Sequence, residues 1–446
     1  MNYFFKNVEK HMQSYDRLVF WMSSYPCVVL KKQEDISLIL SQCQDRESLG
    51  FLNEWFGTGI LTLKYDEWKK SRKTLAPAFT SEMLAIYVHV FNERSAALVD
   101  KFKSAADAGL IIDVWDHVMN TNVDIITENV LGASIQSTGK IGHDFSYAIK
   151  RAIDSTVKRI LSPWLHSRIV YWIYLKLTGE SELIKKFHDL PTYIVTKKLN
   201  DFRTRKSHID EINSSKRIID LLIKAHFNDP FTFTETRIRD ELISLMGAGT
   251  ETTTTTVVFT MLMLAIHQDI QQKVYEEFAQ LIGNQEITVD HFTKPLKYLE
   301  QCIAETSRLY SQITLTARKT TKECKLHDNT IVPDNVIVFL LTSLVHYEEK
   351  YYKSSRTWDP ENFNEQAVAA RPKSSVLTFG YGARSCLGNQ YSMLLAKSQL
   401  IHILRNYHLS TNIQKLTRDD LEMDLLIKSK FGYPIKFVKR TGPVQK

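Results

Sequence analysis

Cys386 is the residue best placed to do chemistry. It lies in Phe379-Gly380-Tyr381-Gly382-Ala383-Arg384-Ser385-Cys386-Leu387-Gly388, just ahead of the helical pattern Tyr391–Leu404. The glycines permit a tight turn with exposed amides, so backbone N–H groups can point at the sulfur, while Arg384 and the following helix N-terminus favour its thiolate form. A thiolate so held is a nucleophile or a metal ligand. A nucleophile would need a histidine base and an orienting partner, and no established cysteine-enzyme signature surrounds the loop. Zinc would need further ligands, and no other cysteine is near in sequence. An axial thiolate on a haem iron needs this residue alone.

Three other groupings carry chemistry of lower specificity. Thr252 to Thr256 is an unbroken threonine run inside a strongly helical stretch, Arg237–Leu281. β-Branched residues lose side-chain freedom in a helix, and threonine can bond back to an earlier carbonyl, so the run is either a polar face or a functional distortion. Glu305 and Arg308 stand at i, i+3 and can meet on one helix face. Trp68 and Arg72 stand at i, i+4, where an indole N–H and a guanidinium can reach one carboxylate. Taken singly, each pair is the common pattern of a solvated helix surface.

The cysteine loop, F-G-x-G-x-R-x-C-x-G, resembles the haem-binding loop of the cytochrome P-450 superfamily of haem-thiolate enzymes. Six such fixed positions arise by chance in a chain of this length with a probability on the order of 10⁻⁵. Ala248-Gly249-Thr250-Glu251-Thr252-Thr253 is similar to the family's oxygen-binding segment. The resemblance makes Glu251 and Thr252 an acid and alcohol pair that delivers protons. Thr252 would bond the Ala248 carbonyl and open the helix beside Gly249, whose missing side chain would leave room for dioxygen and water. Glu305-Thr306-Ser307-Arg308 resembles the family's E-x-x-R, a structural pair under the haem loop. Trp68 and Arg72 resemble an early W-x-x-x-R that reaches a haem propionate, and Arg318 and Arg384 match further propionate contacts. Phe379 opens the haem loop. The pattern is closest to the animal microsomal branch called family four, with Gly57-Thr58-Gly59-Ile60-Leu61-Thr62 and Ala76-Pro77-Ala78-Phe79 around Trp68. Pro360-Glu361-Asn362-Phe363 departs from the family's P-E-R-F, and Ala248 stands where many family-four enzymes have a haem-esterified glutamate. Haem b is therefore expected without a covalent tie other than the Cys386 iron ligand.

The resemblance implies a mainly α fold, with a large helical lobe, a small β-rich lobe, and haem between the long central helix and the cysteine loop. Periodicity agrees. Helical spacing runs through Met83–Ala105, Val114–Val130, Leu183–Phe202, Arg237–Leu281 and Leu296–Leu309, while Cys27–Leu30 and Val336–Leu340 read as strands. Thr232-Phe233-Thr234-Glu235 fits a capping box that starts the long helix, and Ala265–Asp269 marks a break within it. Proline and glycine are scarce and no linker-like stretch interrupts the chain, so residues 1–446 read as a single domain.

A charge of +7, from 57 bases against 50 acids spread along the chain, excludes a nucleic-acid-binding tail. Five scattered cysteines without a C-x-x-C pair exclude a disulfide framework. No stretch is apolar enough to span a membrane, and no targeting signal is legible, so the family's N-terminal anchor is read as missing. Trp164–Leu177, with two Trp, two Tyr and flanking bases, suits either a membrane interface or a buried aromatic helix end. The expected activity is insertion of one oxygen atom from O2 into an apolar substrate: a fatty acid, terpenoid or xenobiotic. Electrons would come from NADPH-cytochrome P-450 reductase, with cytochrome b5 as a second donor, at the cytosolic face of the endoplasmic reticulum. A peroxide-rearranging haem-thiolate isomerase or dehydratase and a non-catalytic haem or lipid carrier are the alternatives.

Overall fold

One helix is apolar enough on all its faces to be driven into the centre of the molecule. It runs without interruption from Glu235 to Ile266. The computed structural model describes residues 2–22, 25–134, 139–204, 215–293, 296–423 and 426–440. The central helix starts two residues later than the capping box implied. Thr234 is the cap, its hydroxyl accepting from the Arg237 N–H at 3.1 Å, while the Thr232 N–H goes to Asp229 Oδ1 at 3.0 Å. Asp229 competes for Thr232, and the cap falls to the next free hydroxyl. The expected break is at His267, after which Gln268–Leu281 resumes as a separate helix.

The threonine run is accommodated by back-bonding. Thr250, Thr252, Thr254, Thr255, Thr256 and Thr260 each donate to the carbonyl four residues earlier. Those six hydroxyls are thereby satisfied, whereas the buried Thr253 hydroxyl has no partner among the described residues. The opening expected beside Gly249 does not interrupt the helix.

Around it lie Ser81–Lys101, Trp115–Leu131, Lys297–Leu309 and Asn389–Asn406, whose buried faces join it in one large hydrophobic core. Buried amides cross-link two of them with the central helix: Asn122 donates to Thr254 Oγ1 at 2.9 Å and accepts from Gln399 at 2.9 Å. The smaller lobe is a four-stranded sheet ordered Arg17–Met22, Tyr25–Leu30, Ile337–Leu340, Thr316–Lys319, with only the middle pair parallel. It packs with Gln33–Gln42 on a second core that includes Leu30, Ile36, Leu40, Cys43, Cys324 and Val338. Both expected strands are in this sheet.

The loop from Gly57 to Leu63 is strapped to the start of the central helix. Asp240 and Glu241 accept from the Thr58 N–H at 2.8 Å and the Ile60 N–H at 2.7 Å. Gly57 has φ +61°, and a Cβ there would collide with the Asp240 carboxyl, so only glycine fits.

Candidate functional site

Two glycines with positive φ, Gly380 at +73° and Gly382 at +76°, fold the cysteine loop back on itself. The Cys386 N–H closes the turn on the Phe379 carbonyl at 2.8 Å. Gly388 then caps the helix Asn389–Asn406. Cys386 is open to a solvent-sized space, yet its sulfur is deep enough in protein for burial to push the thiol above its ordinary pKa. The Gly388 N–H, Arg72 and Arg46 act against that shift and favour the thiolate. Arg384, expected to support the thiolate, has a different place.

The Arg384 guanidinium donates to the Leu63 carbonyl at 2.9 Å and lies 4.4 Å over the Trp68 ring. Trp68 thus supports Arg384 from below. Arg72, on the same helix as Trp68, donates to the Ser385 carbonyl at 3.1 Å. Arg46 donates to the Arg384 carbonyl at 3.2 Å, and Arg318 to the Ala317 carbonyl at 2.8 Å. Four cations therefore converge on the cysteine loop. Buried Nε atoms of Arg46, Arg318 and Arg384, with Nη1 of Arg384, have no partner among the described residues. Burial, then repulsion from Arg46, pushes Arg384 down to about 10; Arg318 is lowered by burial and by both neighbours. Asp45 is near but accepts from the Tyr65 N–H. Among the described residues no carboxylate is bonded to this cluster, which therefore suits an anion. The two propionates of a haem fit it, with the Cys386 sulfur in position to take the iron.

Arg46 escaped the sequence reading. It stands outside every motif, and only the fold brings its loop to the cluster.

Glu305 and Arg308 are not a solvated pair. Both are fully buried, with two guanidinium–carboxylate contacts of 2.7 and 2.8 Å. Arg308 also donates to the carbonyls of His346 and Ser355, and Glu305 accepts from the Asp359 N–H at 3.0 Å and Asn362 Nδ2 at 3.1 Å. The pair therefore pins the segment that leads to the cysteine loop. Asn362, the departure from P-E-R-F, still bonds the glutamate.

On the central helix Ala248 is exposed and Thr252 half-exposed. The Thr252 hydroxyl donates to the Ala248 carbonyl at 2.6 Å, the expected i−4 bond. At Gly249 a Cβ would lie 3.1 Å from Ile126 Cδ1, so the missing side chain also allows close packing on Trp115–Leu131. Glu251 is buried, and desolvation pushes its carboxyl up to about 7, with Lys428 opposing and Asp154 reinforcing the shift. Those neighbours come from the strand Ile427–Ser429 and the helix Lys140–Leu161. A buried acid that titrates near neutrality can hold and release protons.

The comparisons with known proteins agree with this geometry. A sequence model of the family described as Cytochrome P450 matches residues 2–435. The chain is similar to "Cytochrome P450 4g1" of Drosophila melanogaster, at 29% identity over 94% of this chain and 82% of that protein. It is similar to "Cytochrome P450 4V2" of Homo sapiens, at 24% identity over 98% and 86%. In fold it is similar to the crystal structure of the cytochrome P450DA heme domain, with a TM-score of 0.79 and 18% identity over 98% of this chain and 91% of that one.

Proposed function

The chain belongs to the cytochrome P450 family, whose members are monooxygenases, and on that premise we propose that it inserts one oxygen atom from dioxygen into an apolar substrate. The substrate class is a fatty acid, a terpenoid or a lipophilic foreign compound, and the electrons come from NADPH through a separate reductase, with cytochrome b5 as a second donor. The observation that carries the reading is the convergence of Arg46, Arg72, Arg318 and Arg384 around the cysteine loop, with buried N–H groups of Arg46, Arg318 and Arg384 that have no partner among the described residues.

When bound, the haem supplies the activation of dioxygen and the oxygen transfer. The protein's part is to hold charge and protons. The Gly388 N–H, Arg72 and Arg46 stabilise negative charge on the Cys386 sulfur, and the arginines hold the propionates. With its own proton on the Ala248 carbonyl, Thr252 turns oxygen lone pairs toward the cleft and can hold a water there. Glu251 gives up a proton near neutral pH and takes another from the side of Lys428 and Asp154. Ala248 carries no carboxylate, so the proposed cofactor is haem b released intact by acid extraction.

The test is spectroscopic. The reduced carbon monoxide complex is expected to show the red-shifted Soret band of a thiolate ligand and to lose it in Cys386→His. Persistence of the band in that variant overturns the assignment. A substrate library with reconstituted reductase then identifies the product.

We also propose peripheral association with the endoplasmic reticulum membrane. Among the described residues no single helix is long and apolar enough to cross a membrane. The support is the segment Trp164–Leu177, where Trp164 is 66% and Trp172 61% exposed, and the edge strand Arg17–Met22, where Val19 and Trp21 face outward.

A further inference from the structure

Cys43 and Cys324 are 281 residues apart in sequence, yet their sulfurs lie 2.9 Å from each other. A covalent S–S bond is about 2.05 Å, so less than about 1 Å of closure separates contact from bond. Both side chains are buried in the small-lobe core, whereas Cys27 and Cys302 are buried elsewhere and Cys386 lines the cleft. Cys43 follows the helix Gln33–Gln42, its N–H bonded to the Ile39 carbonyl at 2.8 Å. Cys324 opens the short strand Cys324–Lys325, paired in register with Val332. Two separately anchored elements thus present sulfur to sulfur without a third metal-ligating group among the described residues.

We propose that Cys43 and Cys324 are a redox site, two thiols that a hydroperoxide closes into a disulfide across the small lobe. One sulfur attacks the peroxide O–O bond, which breaks, leaving a sulfenic acid and water. The second thiol then displaces that oxygen as water and loses its proton. In total two thiols are oxidised by two electrons, one hydrogen peroxide is reduced to two waters, and one S–S bond forms. Burial pushes the Cys43 thiol up to about 12, so little thiolate is present and closure is slow, favoured by local opening of the helix end. The bond would also tether the loop that carries Arg46 three residues on, and Arg318 acts electrostatically on Cys43. Closure should therefore slow haem loss; that consequence alone rests on the proposed cofactor reading.

Purified holoprotein is treated with hydrogen peroxide, denatured in N-ethylmaleimide and digested without reductant. The expected result is a linked peptide pair containing Cys43 and Cys324, two mass units below the dithiol, abolished by dithiothreitol, with Cys27 and Cys302 recovered as alkylated thiols. Cys43→Ser and Cys324→Ser should each keep the carbon monoxide spectrum and lose the linked pair. Should either fold poorly, the wild-type peptide map decides by itself. Recovery of Cys43 and Cys324 as alkylated thiols or higher oxides, without the link, across a peroxide titration that leaves the protein folded overturns the proposal. A link without slower haem loss leaves the redox site standing and removes only its effect on the arginine cluster.

Discussion

Glu251 keeps its proton to about pH 7 because it is buried beside Asp154 with only Lys428 to compensate; the Tyr433 hydroxyl is the other titratable group coupled to it. Its folded-state pKa is thus above the ordinary value near 4.5, and the sign follows: the stability it contributes is full below pH 4.5 and lost as pH rises through about 7. Glu251→Gln removes that loss. The melting temperature of the variant should match the wild type near pH 5 and exceed it by pH 8, with a free-energy difference on the order of 3 kcal/mol at most. An unchanged difference between those pH values would place the carboxyl in water. Thr252→Ala should keep haem content but divert reducing equivalents to peroxide, because the water site loses its hydroxyl; product formed per NADPH is the quantity to measure. The arginines make an opposite kind of claim. Arg46 is uncompensated without an anion and paired with one, so Arg46→Gln should raise the melting temperature of haem-free protein and lower that of the holoprotein. A shift of the same sign in both forms would mean that Arg46 does not face a propionate.

At the scale of elements, the long helices were legible because each buries one apolar face, or in the central helix every face, and that periodicity survives any tertiary context. The cysteine loop was legible for a different reason: glycines at positive φ, a cysteine and a helix start are local requirements that must stand next to one another in sequence. What could not be read was anything assembled from distant segments. Arg46 and Lys428 lie on a loop and a hairpin whose approach to the site has no period, and Asp240 and Glu241 gain their role only when the Gly57–Leu63 loop folds onto them. Trp68 and Arg72 share a helix face as their spacing required, but their partners, Arg384 and the Ser385 carbonyl, are tertiary facts. Gly249 carries a packing role that its motif does not announce. A Cβ built there would lie 3.1 Å from Ile126 Cδ1 on the neighbouring helix. Gly249→Ala should therefore destabilise by about 1–3 kcal/mol through overpacking, and Ile126→Val in the same chain should recover much of that. Failure of the second substitution to rescue would remove that packing role.

Over the whole molecule, the surface separates the two readings of Trp164–Leu177. A buried aromatic end would hide its large side chains, yet Leu165, Tyr171 and Leu175 are buried only in a small satellite cluster, with Tyr174 partly covered against it. Trp164, Ile169, Trp172 and Leu177 are left in water, with Leu177 82% exposed and Arg168 and Lys176 beside them. Monomeric proteins seldom leave such contiguous apolar area uncovered. A lipid surface suits it, because the aromatics can enter the headgroup layer while the bases meet anionic lipid, and a net charge of +7 adds a weak long-range attraction. The two contributions separate by experiment. Trp164→Ser, Trp172→Ser and Ile173→Ser together should weaken flotation with vesicles of phosphatidylcholine and phosphatidylserine several-fold at all salt concentrations, because the apolar term is insensitive to screening. Arg168→Gln with Lys176→Gln should weaken it only at low salt. All five positions are exposed, so the melting temperature should hardly move. Binding that survives the first set with the fold intact would assign the contact elsewhere, and Val19 and Trp21 on the edge strand are the next apolar surface to change.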